Sequence, residues 1–158
     1  MRPRPRCLEI SYVVSGQLKN LIIPAPETPK RVDELWRHTC FEVFIGTGGS
    51  EYYEFNFAPS AAWAAYLFNG YRSGRLSADV SPPEIIVRSG ADRYALQVSL
   101  SLSALSLPEH LLWHLGLSAV IEDKSGRLSY WALAHASDKP DFHRPESFVY
   151  EISPLATP

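Results

Sequence analysis

Apolar and polar side chains alternate with a period of two along most of this chain, the pattern of strands that turn one face to a core. Leu8, Ile10, Tyr12 and Val14 alternate with Glu9, Ser11 and Val13. Ser15-Gly16 supplies a turn before a second apolar stretch from Leu18 to Ile23, and Pro24, Pro26 and Pro29 then break the chain. Phe41, Val43 and Ile45 alternate with Cys40, Glu42 and Phe44, and Tyr53, Phe55 and Phe57 alternate with Tyr52, Glu54 and Asn56. The link between these two runs, Gly46-Thr47-Gly48-Gly49-Ser50, predicts a hairpin. It shares glycine with phosphate-binding loops, but it lacks their lysine and joins two strands. Further strands are expected from Trp63 to Phe68, Ile85 to Arg88, Tyr94 to Leu100, Trp113 to Glu122, Leu128 to His135 and Phe148 to Ile152. A single helical turn is expected near Ser103-Ala104-Leu105. No longer segment carries an apolar stripe of helical period.

About nine short strands, separated by turns rich in glycine and proline, predict an all-β fold, an antiparallel β-sandwich of jelly-roll type. The 9 glycines and 13 prolines among 158 residues provide that punctuation. Neither an internal repeat nor a linker interrupts the pattern. One domain is therefore expected over residues 1–158, with its core at about 7–152.

Composition narrows the function. Apolar residues make up 46% of the chain, enough for a packed core. Lys and Arg total 15 against 17 Asp and Glu, a formal charge of −2. That balance argues against a dedicated binder of nucleic acid or of anionic membranes, which needs a clustered positive field. Cys7 and Cys40 are too few for a disulfide scaffold or a four-cysteine zinc site, and both are expected to be reduced and buried. The start, Met1 to Arg6, is basic, but alternation follows it where a signal peptide would carry an unbroken apolar run. No stretch is long and apolar enough for a membrane helix. A soluble, cytoplasmic protein is the expectation.

Sharp catalytic signatures are missing: the chain has no G-x-S-x-G elbow, Walker loop or H-E-x-x-H pair. His110 and His114 lie four apart in a period-two run. On a strand they would share a face about 13 Å apart, too far for one metal ion. The informative group is Glu42, Glu54 and Asn56. If Ile45 pairs with Tyr53, Glu42 falls opposite Asn56 and Glu54 opposite Phe44, all on one face. The alternate residues, Phe41, Val43, Ile45, Tyr53, Phe55 and Phe57, then supply core. Two carboxylates and an amide on one sheet face suit sugar hydroxyls, acid–base work or a cation, and they are equally compatible with a merely solvated face.

Aromatic residues are the second resource, with 4 Trp, 8 Tyr and 7 Phe. Trp113 belongs to a run of inward positions and reads as core, whereas the face of Trp131 stays open on pattern alone. Trp36 follows a charged stretch and Trp63 follows Pro59-Ser60. Indole faces stack on pyranose rings while carboxylates and amides take up hydroxyls, so aromatics beside Glu and Asn are what a sugar site requires; each Trp also has a core role as its alternative. The loop from His135 to His143 is stiff, polar and a place where a ligand can be held. Its two histidines do not by themselves specify a metal site.

Three blocks carry a family resemblance. The block from Trp36 to Ile45, the aromatic segment from Tyr52 to Ser60, and Trp131 followed by the segment from Pro140 to Phe148 resemble, in order and spacing, family-9 carbohydrate-binding modules and their DOMON-like relatives. The resemblance spans about Trp36 to Ile152 and implies a jelly-roll sandwich that binds a ligand and catalyses nothing. Family members bind sugars, some carry structural calcium, and the wider superfamily includes haem binders. It implies Trp36, Glu42, Trp131 and His143 as ligand-contacting positions; Trp63, Glu54 and Asn56 join them from the strand reading. Where relatives often carry acidic residues after the first Trp-x pair, this chain has His38-Thr39, and no metal or cofactor is expected.

The leading expectation is thus a non-catalytic binder of a mono- or oligosaccharide. Three alternatives stand beside it: a haem binder, a glycan hydrolase using Glu42 and Glu54, and an interaction domain without a small ligand. Methionine–histidine haem ligation is disfavoured because Met1 is the only methionine.

Overall fold

A computed structural model of the chain describes residues 6–154. The basic start therefore lies outside the described residues except for Arg6. Ten strands form two antiparallel sheets, an uneven sandwich in place of about nine strands. The smaller sheet has the order β1-β7-β6, from β1 (Cys7–Ser15), β7 (Arg93–Ser101) and β6 (Glu84–Ser89). The larger contains β2 (Cys40–Gly46), β3 (Tyr52–Phe57), β4 (Trp63–Phe68), β5 (Leu76–Ser77), β8 (Trp113–Glu122), β9 (Leu128–Ala132) and β10 (Tyr150–Ile152). Its order is β10-β8-β2-β3-β4-β5, with β9 paired to the other end of β8. No helix among the described residues is long and apolar enough to cross a membrane.

Alternation decides what meets between the sheets. In β7, Tyr94, Leu96, Val98 and Leu100 point inward, and β1 adds Ile10 with Leu8, Tyr12 and Val14 packed beside it. From the larger sheet come Phe41, Val43 and Ile45 of β2, Tyr53, Phe55 and Phe57 of β3, and Trp63 and Ala65 of β4. Each large side chain buried there contributes about 1.5–3 kcal/mol of apolar transfer energy. The β2–β3 register is Ile45 against Tyr53, Glu42 against Asn56 and Phe44 against Glu54, as the alternation requires.

The outer face of the larger sheet is not solvated. Phe44, Tyr52, Ala64, Tyr66 and Phe68 point away from the main core, yet they form a second buried cluster with Phe148. Leu35 and Phe142 pack against that cluster from two irregular segments. The irregular segment 140–148, a strap across this face, fits because Gly116 lacks a side chain: a Cβ there would stand 2.9 Å from Phe148 Cδ1. Every residue of β2 and β3 is buried.

Local expectations fail where short apolar runs serve as cover. The run from Leu18 to Ile23 is no strand: Leu18–Asn20 is a 3-10 turn, Leu21 forms a lone bridge to Asp123, and Ile22 N–H donates to Glu122 O. Gly16, at φ +130, turns the chain toward the end of β8, where Lys124 N–H donates to Asn20 O and the Thr39 hydroxyl to Ile22 O. β9 stops at Ala132, short of His135, and the last strand begins at Tyr150 because Phe148 turns inward after the 3-10 turn Pro145–Ser147. At Ser103-Ala104-Leu105 there is one turn, closed by Leu105 N–H on Leu102 O at 3.2 Å. Both cysteines are free as expected, but only Cys40 is buried; Cys7, on the edge strand β1, is exposed.

Candidate functional site

On the outer face of the larger sheet, Glu42, Asn56 and Ala64 lie in one row across β2, β3 and β4, and Phe44, Glu54 and Tyr66 in the next. Glu42 is 2% exposed, Glu54 5% and Asn56 0%. Such burial of polar groups is costly unless they are paired. Ser118 Oγ–H donates to Glu42 Oε2 at 3.3 Å, whereas neither end of the Asn56 amide has a protein partner within hydrogen-bonding distance. Glu42 and Glu54 line the floor of a cleft of about 400 Å³, and Asn56 lies fully buried beside Glu42 in the same row.

The strap supplies one wall. Asp141 is a hub: it accepts from the Tyr71 hydroxyl, from Arg72 Nη2 at 2.9 Å and from the His143 backbone N–H at 3.2 Å, and Arg144 Nε lies 3.4 Å away. His143 is thereby placed edge-on to Phe44 and Phe68, with Nε2 3.7 Å from Glu54 Oε1. Its Nδ1 is 2.8 Å from the Tyr52 hydroxyl, whose oxygen also accepts the Arg72 backbone N–H at 3.1 Å. With the Arg72 N–H already on the Tyr52 oxygen, donation of the Tyr52 proton to Nδ1 is the arrangement that leaves none of the three groups unpaired, and it puts the ring proton on Nε2, facing Glu54.

Trp36 and Tyr130 form the open side. Both line the cleft and both are 43% exposed. Arg37 lies over the Trp36 ring at 5.4 Å, and Tyr130 packs against Phe142 at 6.1 Å. Arg72 and Arg75 complete the lining.

The electrostatics follow from burial. Burial, with repulsion from Glu54, pushes the Glu42 carboxyl well above the usual range, and Ser118 and Arg72 only partly oppose this. Burial raises Glu54 to about 7, against the pull of Arg72 and Arg75. Burial and then Arg72 lower His143 to about 4, so its imidazole is neutral at physiological pH. Burial also opposes charge on Asp141, but hydrogen bonds from Tyr71 and Arg72 hold it below the ordinary range. The floor therefore combines a neutral Glu42 carboxyl and a neutral imidazole with a Glu54 carboxyl about half ionised near pH 7, a set of hydrogen-bonding groups suited to a polar ligand.

Of the residues singled out from sequence, Trp36, Glu42, Glu54 and His143 line one cleft, and Asn56 lies buried in the same floor. Trp63 does not join them. It pairs with Phe57 on the opposite face and is buried in the main core. Trp131 also faces the other way: it pairs with Ala119, is 62% exposed, and lines a separate groove of about 540 Å³ beside β1. Its neighbour Tyr130 takes the place in the cleft that alternation denies to Trp131. Sequence reasoning missed Tyr130, Arg72 and Arg75. The pair of arginines three apart after an aromatic strand was the available signal.

No group of three or more potential metal ligands occurs among the described residues. His38 instead contacts Glu122 at 3.0 Å, and His114 lies 3.7 Å from Glu151. Fold and cleft together define a β-sandwich with a recessed polar site on the outer face of its larger sheet. No protein-family model matches the sequence, and no curated protein matches it in sequence. The fold is similar to that of a proposed carbohydrate-binding protein from Bacteroides uniformis, with a TM-score of 0.53 and 14% identity. The match covers 90% of this chain and 69% of that one.

Proposed function

We propose that this protein binds a mono- or oligosaccharide in the cleft without transforming it. The observation that carries this reading is the combination of two half-exposed aromatic rings, Trp36 and Tyr130, with a buried polar floor. Aromatic faces take the C–H surface of a sugar, and Glu42, Glu54 and the His143 Nε2–H offer hydrogen bonds to its hydroxyls. The cleft volume of about 400 Å³ accommodates one or two sugar rings. The family resemblance of the Trp36–Ile45 and Tyr52–Ser60 blocks and the similarity to the Bacteroides uniformis structure support the same reading.

Raised carboxyls in a cleft also fit general acid–base chemistry, and Glu54 at about 7 favours that second reading. Glycoside cleavage, however, needs two carboxyl groups flanking the scissile bond. Glu42 and Glu54 rise from the same sheet face, on neighbouring strands, and so approach a ligand from one side. Calorimetric titration with neutral and acidic hexoses and their disaccharides tests the binding reading. Saturable heat is expected at affinities of roughly 10 μM to 1 mM. Absence of heat with every sugar at about 10 mM, ten times the weakest of these dissociation constants, would overturn it. Turnover of an aryl glycoside would favour the second reading.

A further inference from the structure

Of the two arginines that line the cleft, Arg72 is directly paired, whereas Arg75 acts on the Glu54 carboxyl only at longer range. Arg72 is answered by Asp141, which also takes Tyr71 and lies within reach of Arg144. Arg75 has no carboxylate within ion-pairing distance and no hydrogen bond from its N–H groups among the described residues. What holds it is the Tyr66 ring, over which its guanidinium lies at 4.8 Å. Tyr66 is fixed in turn by donating to Asp33 Oδ1 at 2.7 Å.

The segment that presents both arginines is tightly formed. Asn69 N–H donates to Ser73 O and Ser73 N–H to Gly70 O. Gly74 adopts φ +67, a left-handed conformation that favours glycine, and a Cβ there would press on the Asn69 side chain. Arg72 is itself held at φ 49, a left-handed conformation that a non-glycine residue adopts at a cost. Its backbone N–H donates to the Tyr52 hydroxyl, which offsets that cost, and Asp141 fixes its guanidinium. A loop ordered in advance loses little entropy when it takes a ligand.

We propose that the saccharide taken by this cleft is an acidic one, a sugar or sugar end group bearing a carboxylate, which Arg75 receives at the rim with Arg72 behind it. This deepens the carbohydrate-binding reading and rests on it. A planar guanidinium with its donors unused matches a carboxylate through two parallel N–H···O bonds. The floor does not oppose such a ligand, because burial favours neutral Glu42 and leaves Glu54 only partly charged. The neutral sugar face meets Trp36 and Tyr130, and the carboxylate meets the arginine side.

The test compares glucuronate with glucose, and galacturonate with galactose, by calorimetry at low ionic strength, with sodium acetate and sodium sulfate as small-anion probes. At least one uronate is expected to bind about tenfold more tightly than its neutral counterpart. Arg75→Gln, at an exposed position, should collapse that preference to within about twofold. Equal affinities for uronate and neutral sugar would overturn the acidic-ligand inference while leaving the carbohydrate reading standing. Binding of acetate or sulfate as tight as that of the uronates would overturn it as well, by making the site one for small anions. A preference that survives in Arg75→Gln would overturn the assignment to Arg75. If no sugar of either kind binds, the carbohydrate reading itself fails.

Discussion

His143 Nε2 lies 3.7 Å from Glu54 Oε1 while the opposite ring nitrogen meets the Tyr52 hydroxyl at 2.8 Å. This bridge ties an irregular C-terminal strap to the middle strand of the larger sheet. It also turns what would be a solvent face into the floor of a cleft. Phe44, Phe68 and Phe148 pack around the same ring system, so the polar contact and the apolar cover depend on each other.

Tyr52→Phe removes one hydroxyl and leaves two groups, His143 Nδ1 and the Arg72 backbone N–H, without their partner. A loss of about 1–3 kcal/mol is expected in chemical denaturation, because the cost is that of unsatisfied, partly buried groups. Weaker ligand binding should accompany it, since the orientation of His143 depends on this bond. Unchanged stability would mean that the strap is held by apolar packing alone.

Glu54→Gln tests the electrostatics of the floor. Glu54 is faced by Glu42 from β2, Tyr66 from β4, Arg72 and Arg75 from the following loop, and His143 from the strap. Its folded value of about 7 exceeds the ordinary carboxyl value, so the native state holds a proton that the unfolded chain releases. Stability should therefore fall as pH rises from about 4.5 to about 7, and Glu42 extends the decline upward. His143, lowered to about 4, acts oppositely below about pH 6.5, so the decline reads most cleanly above that point. Glu54→Gln should be more stable than the parent at about pH 8, by on the order of 2 kcal/mol, with the difference shrinking toward pH 5. A difference independent of pH would contradict the assigned ionisation.

The tryptophans should separate cleanly by role. Trp36→Ala is expected to weaken sugar binding about tenfold or more with little change in melting temperature, since the ring is half-exposed at the cleft mouth. Trp131→Ala should leave binding unchanged, because that ring lies on the other face of the sheet. Trp63→Ala should cost about 3–5 kcal/mol of stability as a core truncation. Calorimetry and thermal unfolding on the three variants check all of these outcomes.

Gly116→Ala should destabilise by about 1–3 kcal/mol through overpacking, since the new methyl would stand 2.9 Å from the Phe148 ring. Urea unfolding measures it. A neutral result would show that Phe148 and the strap move aside freely.

Much of this architecture was legible because alternation and turn chemistry agree. Gly46 to Ser50 fixed where the β2–β3 hairpin folds back, and the register then followed from matching Phe41, Val43 and Ile45 to Phe57, Phe55 and Tyr53. Alternation assigns residues to faces but does not say which faces are covered. The covering segments around Leu35, Phe142 and Phe148 are irregular and carry no period, so the double burial of Glu42 and Glu54 was invisible. Alternation left the face of Trp131 open and only the family resemblance named it as a ligand position; the ladder turns it away from the cleft that Tyr130 lines. Trp63 illustrates the complementary case, an aromatic of the right type whose strand position directs it into the core.

The central claim, that a sugar is held on the strap-covered face of the larger sheet, is tested most directly by the nitrogen–proton spectrum of the four indole N–H groups during sugar titration. The account predicts that the Trp36 resonance shifts saturably while those of Trp63, Trp113 and Trp131 stay in place. A saturable shift of Trp131 with Trp36 unmoved would contradict it and put the ligand in the groove beside β1.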